Sequence, residues 1–165
     1  MAANDQRRGK SLRVEGFIIF IKLKGQINCL PDDLDFIVCG QSAASLLGLT
    51  SIRSPLQIYQ KPPEDYVPDE TVLYLNRSTL DNIPCKTLKD GVRCTTIEQT
   101  LYDLLTSTVP CSGQVLPEMI ATLIAEDEEE RLNLSEIENK VKDMGVAEQY
   151  EFFKKQAYDF LEHWG

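Results

Sequence analysis

Apolar positions follow two different rhythms along this chain. In the front half they form short runs bounded by turn residues; in the rear half they recur at three- and four-residue spacing. The run Phe17-Ile18-Ile19-Phe20-Ile21, inside a β-branched and aromatic stretch from Gly16 to Lys24, predicts a buried strand. Asp35 to Cys39 reads as a second short apolar strand or the start of a helix. Leu56 to Tyr59, Thr71 to Leu75, Pro84 to Leu88 and Gly91 to Thr95 predict further strands. Turn clusters separate them: Lys61-Pro62-Pro63-Glu64-Asp65, Asn76-Arg77-Ser78 and Lys89-Asp90-Gly91. The last places Asp-Gly between two short strands, a hairpin signal. One helix interrupts the series, Gln41 to Leu49, rich in Ala and Leu and stopped near Gly48.

The rear half predicts helices. Thr95 and Glu98 have capping-box spacing, in which the Thr95 hydroxyl accepts from the Glu98 amide and the carboxylate returns to the Thr95 amide. Leu101, Leu104 and Leu105 follow on one face. A helix is expected from Pro117 through Ala125, with proline in its first turn. Ser135 and Glu138 form a second capping box, opening a helix that ends at Gly145. A last helix from Ala147 to Trp164 carries Tyr150, Phe153, Ala157, Phe160 and Leu161 as one apolar stripe. The expected fold is α+β: a mixed or antiparallel sheet in the N-terminal half, then a C-terminal helical bundle.

At 165 residues, residues 16–165 suit a single domain, preceded by a basic and flexible tail over residues 1–15. Apolar residues make up 42% and charged ones 26%, with only 9 Gly and 8 Pro, which excludes disordered and fibrous classes. The net charge of −9 is unevenly spread: residues 1–25 sum to +4, residues 26–125 to −6 and residues 126–165 to −7. So acidic a chain binds nucleic acid only where its cations are concentrated. Arg7, Arg8, Lys10 and Arg13, with Lys22 and Lys24, are the candidates for such contact; a solvated tail is the plainer reading. Five apolar residues cannot cross a bilayer core or form a signal h-region, and no small-x-small cleavage site follows. The five cysteines are scattered, without a C-x-x-C pair, which argues against zinc and redox motifs and for a reducing cytoplasm.

Little in the chain suggests catalysis. His163 is the only histidine and stands beside the C-terminus, so a Ser-His-Asp or Cys-His device would rest on a fraying end. No glycine-rich phosphate loop is present. Asp32, Asp33 and Asp35 lack the Gly and Glu spacing of an EF-hand, and Glu126 to Glu130 reads as a solvated helix end. No catalytic residue, cofactor, metal or small-molecule substrate is expected.

Two segments together resemble a known family. Gly40-Gln41-Ser42-Ala43-Ala44-Ser45-Leu46-Leu47-Gly48-Leu49 is similar to the Ser-Ala-Leu, then Gly-Leu, helix of AbiEi-type abortive-infection antitoxins. Gly91 to Leu105 is similar to that family's hallmark, usually Thr-Ser-Pro-Glu-Arg-Thr-Leu-x-Asp. Thr95, Glu98, Thr100, Leu101 and Asp103 match it, Thr96 replaces Ser, and Ile97 and Gln99 depart from Pro and Arg. Asn133-Leu134-Ser135 and Met144-Gly145 around a rear helix also follow the pattern. The resemblance spans residues 36–160 and implies a non-enzymatic antitoxin of a toxin–antitoxin or phage-defence pair. In that family an N-terminal winged helix binds the promoter, and a C-terminal domain counteracts a nucleotidyltransferase-like toxin. Here the chain starts almost directly at the second part. The resemblance therefore implies the antitoxin-like domain alone, its partner a toxin or the toxin's target. Ser42, Gly48, Thr95, Glu98, Gln99, Thr100 and Asp103 read as structural motif residues. The Arg-to-Gln change at Gln99 weakens any pairing there with an acid, and Asp103, beyond the first helical turn, gains little from the dipole. Two readings compete: an acidic protein-interaction module that docks a basic partner, and a small nucleic-acid-binding regulator using the basic N-terminus.

Overall fold

The computed structural model describes residues 17–164, apart from residues 53, 69 and 70. Arg7, Arg8, Lys10 and Arg13, and with them the expected tail over residues 1–15, lie outside the described residues. The first described element corrects the sequence reading. Residues 17–28 are helical (α1), not a strand. Their β-branched composition favours a strand, but Ile19, Leu23 and Ile27 recur at i, i+4, i+8, and these are the side chains that are buried. Phe17, Ile18 and Ile21 point outward and are exposed. Packing against the sheet outweighs local propensity here.

The chain then runs through β1 (Ile37–Val38), α2 (Gly40–Leu46), β2 (Leu56–Tyr59), β3 (Val72–Leu75), β4 (Cys85–Thr87) and β5 (Arg93–Thr95). The helices α3 (Ile97–Leu105), α4 (Val115–Glu128), α5 (Leu134–Asp143) and α6 (Ala147–Trp164) follow. This is the α+β arrangement read from the sequence. The five strands form one mixed sheet in the order β3-β2-β1-β5-β4. The β2–β3 and β1–β5 pairs are parallel; the β1–β2 and β4–β5 pairs are antiparallel. The Asp90-Gly91 hairpin joins β4 to β5, with the Leu88 amide donating to the Val92 carbonyl at 2.8 Å.

Strand alternation divides the buried side chains between the two faces of the sheet. Val38, Leu56, Ile58 and Cys94 lie on one face beneath Ile19, Leu23 and Ile27 of α1 and Ala43 and Leu46 of α2. On the other face Ile37, Cys39 and Tyr59 meet Val109, with Leu75, Leu80 and Ile83 at the margin. A third core fills the helical bundle, where Leu101, Leu104, Met119, Ile120, Leu123, Val141 and Tyr150 are buried. Ala44 and Leu49 of the α2 segment belong to that bundle core, so α2 joins sheet and bundle.

Both expected N-caps fall on neighbouring residues instead. Thr95 ends β5, paired opposite Cys85, and its hydroxyl lies 2.7 Å from that of Thr100. The N-cap passes to Thr96, whose hydroxyl accepts from the Gln99 amide at 3.2 Å. Glu98 reaches outward instead and lies 3.8 Å from Lys140 of α5. Likewise Asn133, not Ser135, caps α5 by accepting from the Glu136 amide at 3.2 Å. Helix α4 runs past Ala125, so Glu126 to Glu128 are its last turn, and Glu126 and Glu129 pair with Arg131.

The seam between α5 and α6 carries a partly buried ion pair, Lys154 to Glu138 at 2.6 Å, with side-chain exposures of 21% and 13%. The Tyr150 hydroxyl is buried nearby, and burial together with the neighbouring Glu138 carboxylate raises its phenol. Removing Glu138 leaves the Lys154 ammonium half-buried and unpaired. The Glu138→Ala variant is therefore expected to lose about 1–2 kcal/mol in urea unfolding. A loss within error of zero marks the pair as a solvated one.

Candidate functional site

Gln99, Thr100 and Asp103 of α3 turn inward, toward the sheet. Helix α3 leaves β5 at Thr95 and returns along the strands, because β5 and β2 run in opposite directions. Two turns in, Asp103 thereby reaches Tyr59, the last residue of β2. The Tyr59 hydroxyl donates to Asp103 Oδ2 at 2.6 Å, and Gln99 Nε2 donates to Oδ1 at 2.8 Å. Asp103 is fully buried. Both of its carboxylate oxygens are thus satisfied by side chains, as a buried acid requires.

Gln99 and Asp103 are one helical turn apart, so the amide serves the acid directly. Asp103 takes its partners from the sheet and from its own helix. Thr100 is buried as well: its hydroxyl donates to the Thr96 carbonyl at 2.7 Å and accepts from Thr95.

Arg77 completes the constellation from the turn after β3. Its guanidinium stacks on the Tyr59 ring, 4.6 Å from the centroid, and Nη2 donates to the Tyr59 hydroxyl at 3.3 Å. The chain of donors runs one way, from Arg77 to Tyr59 to Asp103. Burial raises the Asp103 carboxyl above the ordinary carboxylate range, against the opposing pull of the Tyr59 and Gln99 hydrogen bonds and of the Arg77 charge. Burial likewise raises the Tyr59 phenol, helped by its bond to Asp103. The Cys39 thiol is pushed well up by burial and by the neighbouring Asp103 charge. A thiol and phenol held neutral are poor nucleophiles.

A second polar network secures α2. The Gln57 side chain accepts from the Gln41 amide at 2.7 Å and donates to the Pro110 carbonyl at 2.6 Å. Ser42 donates to the Pro55 carbonyl at 3.2 Å and accepts from the Gln57 amide at 2.9 Å. Gly48, at φ +75, closes α2: its amide donates to Ser45 and that of Leu49 to Ala44, at 3.1 and 2.8 Å. These roles are structural.

The other candidates stay apart. His163 sits on the exposed end of α6, its Nδ1 2.7 Å from the Asp159 carbonyl. Asp35 pairs with Arg93, and Lys24 with Asp90 of the hairpin. Among the described residues no group of three His, Cys, Asp or Glu side chains is placed to hold a metal, and no helix is long and apolar enough to cross a membrane. Sequence reasoning missed Tyr59, Arg77 and Gln57. Nothing local marks them, since each acts through partners 15 or more residues away.

No protein-family model matches the chain, and no curated protein or solved structure matches it either.

Proposed function

We propose that this chain is a non-enzymatic, antitoxin-like regulator that acts in the cytoplasm against a nucleotidyltransferase-like toxin of a toxin–antitoxin or phage-defence pair. One observation carries the reading. The two segments that resemble AbiEi-type antitoxins, far apart in sequence, pack together as α2 and α3. Within the second segment Thr95, Gln99, Thr100 and Asp103 interlock through buried hydrogen bonds. A motif whose residues engage one another and the sheet supports a shared scaffold more strongly than the same letters on a surface. On this reading those positions serve the architecture, and action on another macromolecule falls to the exposed surface.

The test is growth rescue. Expression of a nucleotidyltransferase-like gene encoded beside this one is expected to arrest cells, and co-expression of this chain to restore colony formation. Arrest that persists at equal expression, with the chain folded, rejects the reading.

A further inference from the structure

We propose that Arg77 and Lys61 form a subsite for a terminal phosphate at the carboxyl ends of β2 and β3. The two strands are parallel neighbours, with Tyr59 opposite Leu75, and the Gln60 amide extends their ladder to the Leu75 carbonyl at 3.1 Å. Lys61 and Arg77 each stand two residues beyond that pair. They leave the sheet at the same edge, at the carboxyl ends of two parallel strands.

Arg77 is built to present its charge. Arg93 and Arg131 are both engaged by carboxylates, whereas Arg77 is held by a ring face and a phenolic oxygen and forms no ion pair among the described residues. A stacked guanidinium keeps a fixed plane and most of its donors free, the geometry that serves bidentate recognition of an oxyanion. The turn after β3 places Asn76, Ser78 and Thr79 beside Arg77, and the acids nearest in sequence to the two cations are Glu64, Asp65 and Asp81. The amides of Arg77, Ser78 and Thr79 make no hydrogen bond among the described residues. Two cations with hydroxyl and amide donors suit a dianionic, tetrahedral group better than a planar carboxylate. The chain's overall negative charge opposes a long polyanion, which favours the terminal phosphate of a small ligand such as a nucleotide.

This inference is independent of the antitoxin reading and is tested on the purified chain alone. Inorganic phosphate, AMP, adenosine and glutamate are titrated while the Arg77 Nε–H resonance is followed by NMR. Phosphate and AMP are expected to shift it, with AMP half-saturating at about 1 mM. Arg77→Lys keeps the charge and loses the fork, and is expected to weaken AMP binding about tenfold. Lys61→Ala, in an exposed turn, is expected to weaken it about threefold. A 5′-phosphorylated oligoribonucleotide that binds more tightly than AMP, and than its 5′-hydroxyl form, assigns the site to an RNA end. The reverse order assigns it to a free nucleotide. No shift at about 10 mM AMP, an equal response to adenosine or glutamate, or unchanged affinity in Arg77→Lys overturns the proposal.

Discussion

Asp103→Ala is expected to lower the unfolding free energy by about 3 kcal/mol. The truncation removes the carboxylate that accepts from two buried donors, the Tyr59 hydroxyl and the Gln99 amide, and leaves a void between α3 and the sheet. Each unsatisfied donor costs about 1–3 kcal/mol, offset in part by release of the acid from a site where burial disfavours its charge. Arg77 stacks on the same tyrosine, so its side chain is expected to lose order in the variant, visible as narrowing of its Nε–H resonance. A urea midpoint within about 0.5 kcal/mol of the parent would show the network to be dispensable.

The acid also gives a pH signature of known sign. Because the folded state raises the Asp103 carboxyl, it holds that proton to a higher pH than the unfolded chain does. The contribution of Asp103 to stability is fully present below the unfolded value of about 4 and is lost as pH rises through the folded value. Asp103→Asn cannot titrate. The stability of the parent minus that of Asp103→Asn is expected to fall with pH across this window; a rise would mean that the hydrogen bonds, not burial, dominate.

Gly40→Ala is expected to cost about 3–4 kcal/mol. Gly40 opens α2 at φ +57, a left-handed conformation that carries a penalty of about 1–2 kcal/mol for any residue with a Cβ. A Cβ there would also lie 2.2 Å from Val109 Cγ1 and 2.6 Å from Gln57 Oε1. The second contact falls on the oxygen that accepts from the Gln41 amide, so the side chain cannot move aside without breaking that bond. Gly48 is the internal control. It has φ +75, but nothing lies within 4 Å of its would-be Cβ. Gly48→Ala should therefore lose only about 1 kcal/mol, the conformational part alone. Equal losses at the two glycines in urea unfolding would remove the steric argument.

Much of the fold was legible because local signals and tertiary needs agreed. The Asp90-Gly91 hairpin, the α6 stripe from Tyr150 to Leu161 and the stop at Gly48 each combine a turn or period with a matching burial pattern. Where the two conflicted, packing prevailed. Phe17 to Ile21 has strand composition, yet the spacing of Ile19, Leu23 and Ile27 lets one helical face cover the sheet. Thr95 has the right distance to Glu98 for a cap, yet strand pairing with Cys85 claims it first. The polar cluster was legible only in part. Gln99 and Asp103 stand out as motif letters, but their partners Tyr59 and Arg77 are ordinary residues of a strand and a turn. Only the sheet order brings them together.

The middle strand of that sheet sets the order of assembly. β1 has two residues, and one of its sides stays unpaired until β5, whose partner Cys94 is 56 positions further along, has been synthesised. A chain cut anywhere in the front half therefore leaves β1 with one open edge, and the sheet closes around it only after the Asp90-Gly91 hairpin has brought β5 into place.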